Sequence, residues 1–413
     1  MRVTAFLRFL LRIIPRPIRR WLVAWVLPKV VVAFAARRQA EKGAIVVVGL
    51  FRSVIGLGQG ARLALSALCD LHIDASAVDV TSVFHPQERL GPEFQRSDDV
   101  EAGGVLIVHL NPPEFPIALL AIGRQRLRHK RIVGYWLWEL PEVPKSWCAN
   151  IRLVDEIWVP SHFVAAAVAR QATVPVYVVP LPVRRPVPSQ RDRASFDISD
   201  NSFVCLCAFD MRSSYVRKNP LGAIRAFRKA FGASRDATFV LKIAEPDCAP
   251  NAMAKIMTEI GDAHNICIID GKFTAEDMAA LINCSDVVIS LHRSEGFGLV
   301  LAEAMLLGKP VVATGWSGNV DFMNSENSAL IGYKLVSAVD AQGVYRMTGQ
   351  QWAEADIPQA AAWLRRLNDD EALRRQIGAA ATVDAEEFFS LERYRAALEK
   401  TSLFDWLSTH TPS

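Results

Sequence analysis

Short apolar runs recur along the chain at 43–49 (GAIVVVG), 105–109, 131–137, 156–160 and 176–179, with helical patterns between them. A second series follows at 203–209, 239–243, 266–270, 287–291 and 311–314. Strands that alternate with helices predict parallel α/β sheets. The two series are divided by a stretch that is proline-rich, charged and poor in apolar residues, ending at Asn201, which reads as a linker. The pattern predicts five segments: an N-terminal segment 1–42, a sheet domain 43–182, a linker 183–201, a second sheet domain 202–390 and a C-terminal segment 391–413. After Tyr333 the pattern loosens until Trp352–Asp356, and helices then run to about Lys400.

Length agrees with this division, since 413 residues are too many for one core and about right for two. The net charge of +4 hides an uneven distribution. Residues 1–42 hold ten Lys or Arg and one acid, whereas residues 43–413 hold 37 bases and 42 acids. The globular part is therefore mildly acidic, which argues against a nucleic-acid partner. Arg8, Arg12, Arg16 and Arg20 recur at helical spacing among apolar residues, and the apolar run 21–36 is shorter than the ~20 residues a membrane span needs. Two readings stand: residues 1–36 lie on an anionic membrane surface, with Trp21 and Trp25 at headgroup depth, or they pack as a helix on protein. The seven cysteines form no Cys-x-x-Cys and read as reduced core residues of a cytoplasmic protein.

Candidate chemistry is densest between Ser290 and Asn319. An apolar strand runs into the turn His292-Arg293-Ser294-Glu295, Gly296 and Gly298 keep that turn clear of side chains, and an Ala- and Leu-rich helix follows. The helix start exposes unpaired N–H groups and a partial positive charge, which suits a phosphate. Glu295 lies in the turn, and Glu303 about one and a half helical turns beyond it. A strand-end loop earlier in the same domain carries Arg212, Arg217 and Lys218, which can neutralise a diphosphate. In the first domain His109 ends a strand, where ligands of such sheets gather. Trp136 and Trp138 share one face if that run is a strand, with Glu139 beside them; this suits a sugar ring, and equally a core. Gly56-x-Gly58-x-x-Ala61 with Asp79 formally satisfies the dinucleotide fingerprint, but six residues separate the first glycine from its strand.

The string EGFGLVLAEAMLLGKPVVAT, with its two acids eight residues apart, resembles the donor-site signature of retaining glycosyltransferases of the two-domain GT-B fold, group 1 (family 4). GYWLWELP and VDEIWVPSHFV resemble a subset of that family that builds bacterial surface polysaccharides. The resemblance implies two Rossmann-like domains facing each other across a cleft, with the last helix, in 391–407, returning to the first domain. It implies transfer of a sugar from a nucleotide-diphosphate-sugar to a saccharide, lipid-linked acceptor, on the inner face of the cell membrane. Glu295 and His109 would be catalytic. Gly56, Gly58, Arg212, Arg217, Lys218, Gly271, Phe297, Gly298, Leu299 and Glu303 would hold the donor, Gly56–Gly60 as a loop over its phosphates, and Trp138 and Glu139 would meet the acceptor. No cofactor and no metal is expected, and Asp-x-Asp does not occur in the chain. The rivals are an NAD-dependent oxidoreductase and a catalytically silent scaffold of the same fold.

Overall fold

A computed structural model describes residues 22–34, 40–41, 43–85, 103–345 and 347–404. The chain forms two compact units, one of Met1–Trp138, Glu142–Pro182 and Ser390–Ser413, the other of Glu139–Pro141 and Val183–Phe389. Arg8, Arg12, Arg16, Arg20 and Trp21 lie outside the described residues.

The first unit holds a six-stranded sheet in the order β2-β1-β3-β4-β5-β6. The strands are β1 (Ile45–Gly49), β2 (Ala75–Asp79), β3 (Val105–Val108), β4 (Arg131–Tyr135), β5 (Glu156–Val159) and β6 (Val176–Val178), all paired in parallel. Every residue of β1, β3 and β5 is buried, which explains the unbroken apolar runs of β1 and β3: parallel strands are covered by helices on both faces. The helix Leu27–Phe34 packs beside the helix Phe115–Ile122, while Trp25 is 42% exposed. No helix of the described residues is long and apolar enough to cross a membrane.

The second unit holds a sheet in the order β12-β11-β10-β7-β8-β9. Its strands are β7 (Phe203–Asp210), β8 (Ala237–Ala244), β9 (Ile266–Asp270), β10 (Val287–Ser290), β11 (Val311–Thr314) and β12 (Ala329–Ile331). Counted from β7 this is the doubly wound order 3-2-1-4-5-6, so the sheet reverses its winding between β7 and β10. At that reversal the two following loops diverge and leave a crevice beyond the strand ends, which is where such sheets bind ligands. Phe227, Phe239, Leu241, Ile289, Leu291 and Leu364 belong to the core under it.

Residues 183–201 lie along this unit. The Arg193 guanidinium donates to Cys284 O at 3.0 Å and to Asp286 at 2.9 Å, and Phe196 is buried. An antiparallel pair, β13 (Tyr333–Ser337) and β14 (Gln351–Ala355), fills the region where the sequence pattern loosens. Strand β4 stops at Tyr135, two residues short of the expected end, so Trp136 and Trp138 do not share a strand face. All seven cysteines are free, but only Cys205 and Cys207 are buried; Cys69 and Cys248 are exposed, which corrects the expectation of seven core thiols.

Candidate active site

The crevice at the β7–β10 reversal is built from two loops. After β7 the chain makes a short helix, Tyr215–Lys218, which ends on Asn219 in the left-handed region at φ 53°. The Asn219 amide closes both sides of that corner, donating to Leu291 O at 2.8 Å and accepting from Gly222 N at 3.2 Å. This delivers Arg217 and Lys218 to the end of β10. After β10, Arg293 N–H donates to Arg217 O at 2.7 Å, so the two loops are joined through their backbones.

The sequence-predicted cations and the first acid meet there. Arg217 Nη1 lies 3.1 Å from Glu295 Oε2 and donates to Ser294 O at 2.6 Å, and Lys218 Nζ donates to Glu295 Oε1. Arg217 is 3% and Glu295 8% exposed, so the pair sits largely out of water. Burial by itself raises the Glu295 pKa, but Lys218 and Arg217 outweigh it and hold the carboxylate down at about 2. Burial disfavours the Arg217 charge, yet Tyr345, Glu295 and Glu139 together raise its pKa above the ordinary value. Arg217 Nε and Ser294 Oγ, both buried, have no hydrogen-bond partner among the described residues. Two donors are thus left for something the polypeptide does not supply.

Beyond Glu295 the chain reaches Gly298, at φ 103°, a backbone conformation that strains any side chain and that opens the helix Leu299–Leu306. No side chain caps this helix, so its first N–H groups stay available. Opposite lies the loop after β11. Glu295 N–H donates to Ser317 Oγ and Gly318 N–H to Glu295 O, each at 2.8 Å. A Cβ on Gly318 would stand 2.2 Å from Gly296 O, so only glycine lets the two backbones touch. His292, buried, links the same loops: Ser290 Oγ is 3.1 Å from Nδ1 and Asn319 Oδ1 is 3.0 Å from Nε2. Because the Asn319 amide nitrogen donates to Thr314 O, its oxygen must accept, which assigns the proton to His292 Nε2. Burial lowers the His292 pKa, in keeping with a neutral ring.

The carboxylate of Glu303, a half-buried residue of the helix, makes no hydrogen bond or ion pair with another described residue, and burial pushes its pKa up to about 7. It therefore changes charge near neutrality. Glu139, in the second unit, accepts a 2.9 Å bond from Tyr345 Oη, and the Tyr345 ring lies 5.9 Å from the Arg217 guanidinium carbon.

Residues 206–345 match the model of the family "Glycosyl transferases group 1". That stretch is about a third of the chain. A D-inositol 3-phosphate glycosyltransferase of Corynebacterium diphtheriae is 29% identical over 149 residues, which is 35% of this chain and 28% of that relative. The match therefore spans less than a third of the relative's length. Among solved structures, Anabaena Alr3699/HepE in complex with UDP and glucose superposes with a TM-score of 0.61 at 14% identity, covering 89% of this chain and all of that one. Sucrose-phosphate synthase from Thermosynechococcus elongatus does so with a TM-score of 0.63 at 15% identity, again over 89% of this chain. These likenesses establish the GT-B fold, with two Rossmann-like domains.

The other expected site residues of the second unit lie in varied surroundings. Arg212, expected to hold the donor, is engaged by acids of its own loop region, with Nη2 at 2.7 Å from Asp210 and Nη1 at 3.7 Å from Glu245. Gly271, exposed at φ 95°, accepts from Lys242 through its carbonyl. The Phe297 ring is core, packed on Phe322 and Phe389 at 5.4 and 5.9 Å, so only its backbone can serve a donor. Leu299 is the half-buried first residue of the helix.

In the first unit Gly56 and Gly58 are not a loop but the opening turn of the helix Gly56–Asp70. A Cβ on Gly58 would stand 2.4 Å from Leu50 O, so this glycine serves close packing of the helix on the loop before it. Asp79, the acid of the dinucleotide fingerprint, accepts from Thr81 Oγ1 at 2.5 Å and lies 3.5 Å from Arg52. Trp138 is 8% exposed, donates to Glu142 O at 2.7 Å and packs on Trp147 at 4.8 Å, which corrects its expected role as a sugar platform. Trp136 is likewise core, edge-on to Phe115 and Trp147. His109 stacks on Tyr135 at 4.3 Å, is 1% exposed, and has no partner among the described residues for either ring nitrogen. Burial pushes its pKa down to about 3, so it is a neutral imidazole.

Proposed function

We propose that this chain is a retaining glycosyltransferase that moves a sugar from a nucleotide-diphosphate-sugar to a saccharide acceptor. The observation that carries the reading is the largely buried Arg217–Lys218–Glu295 cluster at the β7–β10 reversal, with Arg217 Nε unpartnered among the described residues and an uncapped helix start at Gly298 beside it. The reaction breaks the sugar–phosphate bond, sends the bonding pair to the diphosphate oxygen and leaves positive charge on the sugar. Two fixed cations and a row of backbone N–H groups favour that leaving group without reorganising when it departs. Glu295, kept ionised by the same cations, is the carboxylate that faces the developing positive charge. Glu303, poised near neutrality, suits a hydroxyl of the donor, as donor or acceptor of a hydrogen bond. Support for a nucleotide-sugar comes from the UDP and glucose bound to the Anabaena neighbour and from the name of the Corynebacterium relative.

The acceptor we propose is a lipid-linked saccharide of surface-polysaccharide assembly, reached from the inner face of the membrane through residues 1–36. The basic N-terminal segment supports this, and the string GYWLWELP resembles that subset of the family. Catalysis in this reading needs no metal. The test is a thermal-shift screen of UDP, GDP, ADP, their sugar conjugates and NADH, followed by NMR of the product anomer. Stabilisation by one nucleoside diphosphate, turnover persisting in EDTA and a retained anomer are expected. Stabilisation by NADH alone, or an inverted product, would overturn the reading.

A further inference from the structure

The cation-bearing loop cannot hold its own shape. The helix Tyr215–Lys218 has four residues, far below the length at which a helix persists unaided. It starts from Ser214 at φ 60° and ψ 99°, a backbone conformation that costs energy in any residue but glycine and survives only when its surroundings impose it. What imposes it is a turn far along the chain, between β13 and β14. Asp340 accepts from Ser214 Oγ at 2.9 Å, and Ser214 Oγ in turn accepts from Arg217 N at 3.4 Å. Gln342 grips the same loop by both ends of its amide, accepting from Tyr215 N at 2.5 Å and donating to Met211 O at 3.0 Å. The turn is itself made rigid by Asp340 Oδ2, which accepts from Val344 N at 2.7 Å and Tyr345 N at 3.0 Å.

We infer that Asp340 and Gln342 are positioning residues for the donor diphosphate, acting through Ser214 and Tyr215 to hold Arg217 and Lys218 at the crevice. The inference rests on the proposed function, because it assigns these residues to the same diphosphate site. Neither residue needs to touch the ligand. Their work is to keep two cations preorganised, so that binding does not have to order a strained four-residue turn. Asp340 also places Tyr345, whose hydroxyl donates to Glu139, so one carboxylate sets the place of both the cation loop and the aromatic ring beside Arg217.

The test uses the full chain and the nucleoside diphosphate that stabilises the wild type in the screen. Calorimetric Kd values are compared for wild type, Asp340→Ala, Gln342→Ala, Lys218→Ala and the Asp340→Ala/Lys218→Ala double variant. Asp340→Ala and Gln342→Ala are each expected to weaken binding roughly tenfold, the scale of one charge-assisted hydrogen bond. In the Lys218→Ala background the same Asp340→Ala change is expected to cost threefold or less, because a cation it positions is gone. An equal cost in both backgrounds marks a general packing defect and overturns the inference. Hydrogen exchange on the ligand-free protein provides a second readout: in Gln342→Ala, amides 214–219 should exchange faster while those of β7 do not. Unchanged exchange at 214–219 also overturns it. A wild type that binds no nucleoside diphosphate sinks the proposed function itself, whereas normal binding by wild type and both alanine variants sinks only the positioning role.

Discussion

Replacing Glu295 by Gln removes the carboxylate that both Arg217 and Lys218 contact, and the two effects it should have run in opposite directions. Without ligand the variant is destabilised. The Glu295 pKa falls from its ordinary 4.5 to about 2, which corresponds to about 3 kcal/mol of stabilisation at neutral pH. A second route gives the same scale: breaking a buried pair such as Arg217–Glu295, 3.1 Å apart with side chains 4% and 10% exposed, costs about 3–5 kcal/mol. The folded-state pKa is depressed, so the stabilisation is present above pH 4.5 and lost as pH falls toward 2. The gap between wild type and Glu295→Gln should therefore close in acid. With a nucleoside diphosphate the order changes. In the wild type the ligand shares its cations with Glu295; in the variant it does not. Urea melts with and without ligand should show the variant about 3 kcal/mol less stable alone, yet binding the diphosphate as tightly as wild type or more so. Turnover should still fall at least ~100-fold. A variant that is as stable as wild type, or that binds the diphosphate tenfold more weakly, would refute the assignment of Glu295 as the counter-charge of these cations.

Gly318→Ala should lose about 3 kcal/mol or more, because its Cβ meets the backbone oxygen of Gly296 at 2.2 Å, and a thermal melt will show it. Glu303→Gln should separate from wild type only with rising pH. A carboxyl with its folded pKa raised to about 7 gives stability that is full below 4.5 and lost as pH climbs through 7, so the variant should be about 1–3 kcal/mol more stable at pH 8.5 and equal at pH 4. Equal stability at both pH values would contradict the burial argument. Exchanging Arg8, Arg12, Arg16 and Arg20 for Gln, which leaves the packed helix Leu27–Phe34 untouched, should release the chain from phosphatidylglycerol vesicles in a flotation assay. Undiminished flotation would count against membrane association through this segment.

Much of this molecule is readable from its residues in order. Each strand of the two parallel sheets from β3 through β11 except β8's first residues coincides with an apolar run, because a strand covered on both faces has no reason to alternate. The turn at Glu295 and the glycine at 298 are visible as well, since a left-handed backbone and a close approach both demand glycine locally. The loss came where partners are distant in sequence. Asp340 and Gln342 lie in a stretch without apolar rhythm, and the one local signal, an Asp three residues before Gly343, marks a turn but not what the turn holds. Their partners at Ser214 and Tyr215 lie more than a hundred residues away.

Tertiary structure also reversed several local readings. Trp136 and Trp138 look like a platform for a sugar in an extended run, but β4 ends before them and Trp147 takes up their faces. Arg212 looks equivalent to Arg217 in the sequence, but Asp210 two residues earlier claims its guanidinium. Sequence by itself determined most strands of the two parallel sheets and the glycine-bearing turn before the helix at Leu299, because those depend on neighbours within a few residues. Which charges share a carboxylate, which indoles are buried and which loop steadies which were decided only by folding, because those depend on what the sheet order brings alongside.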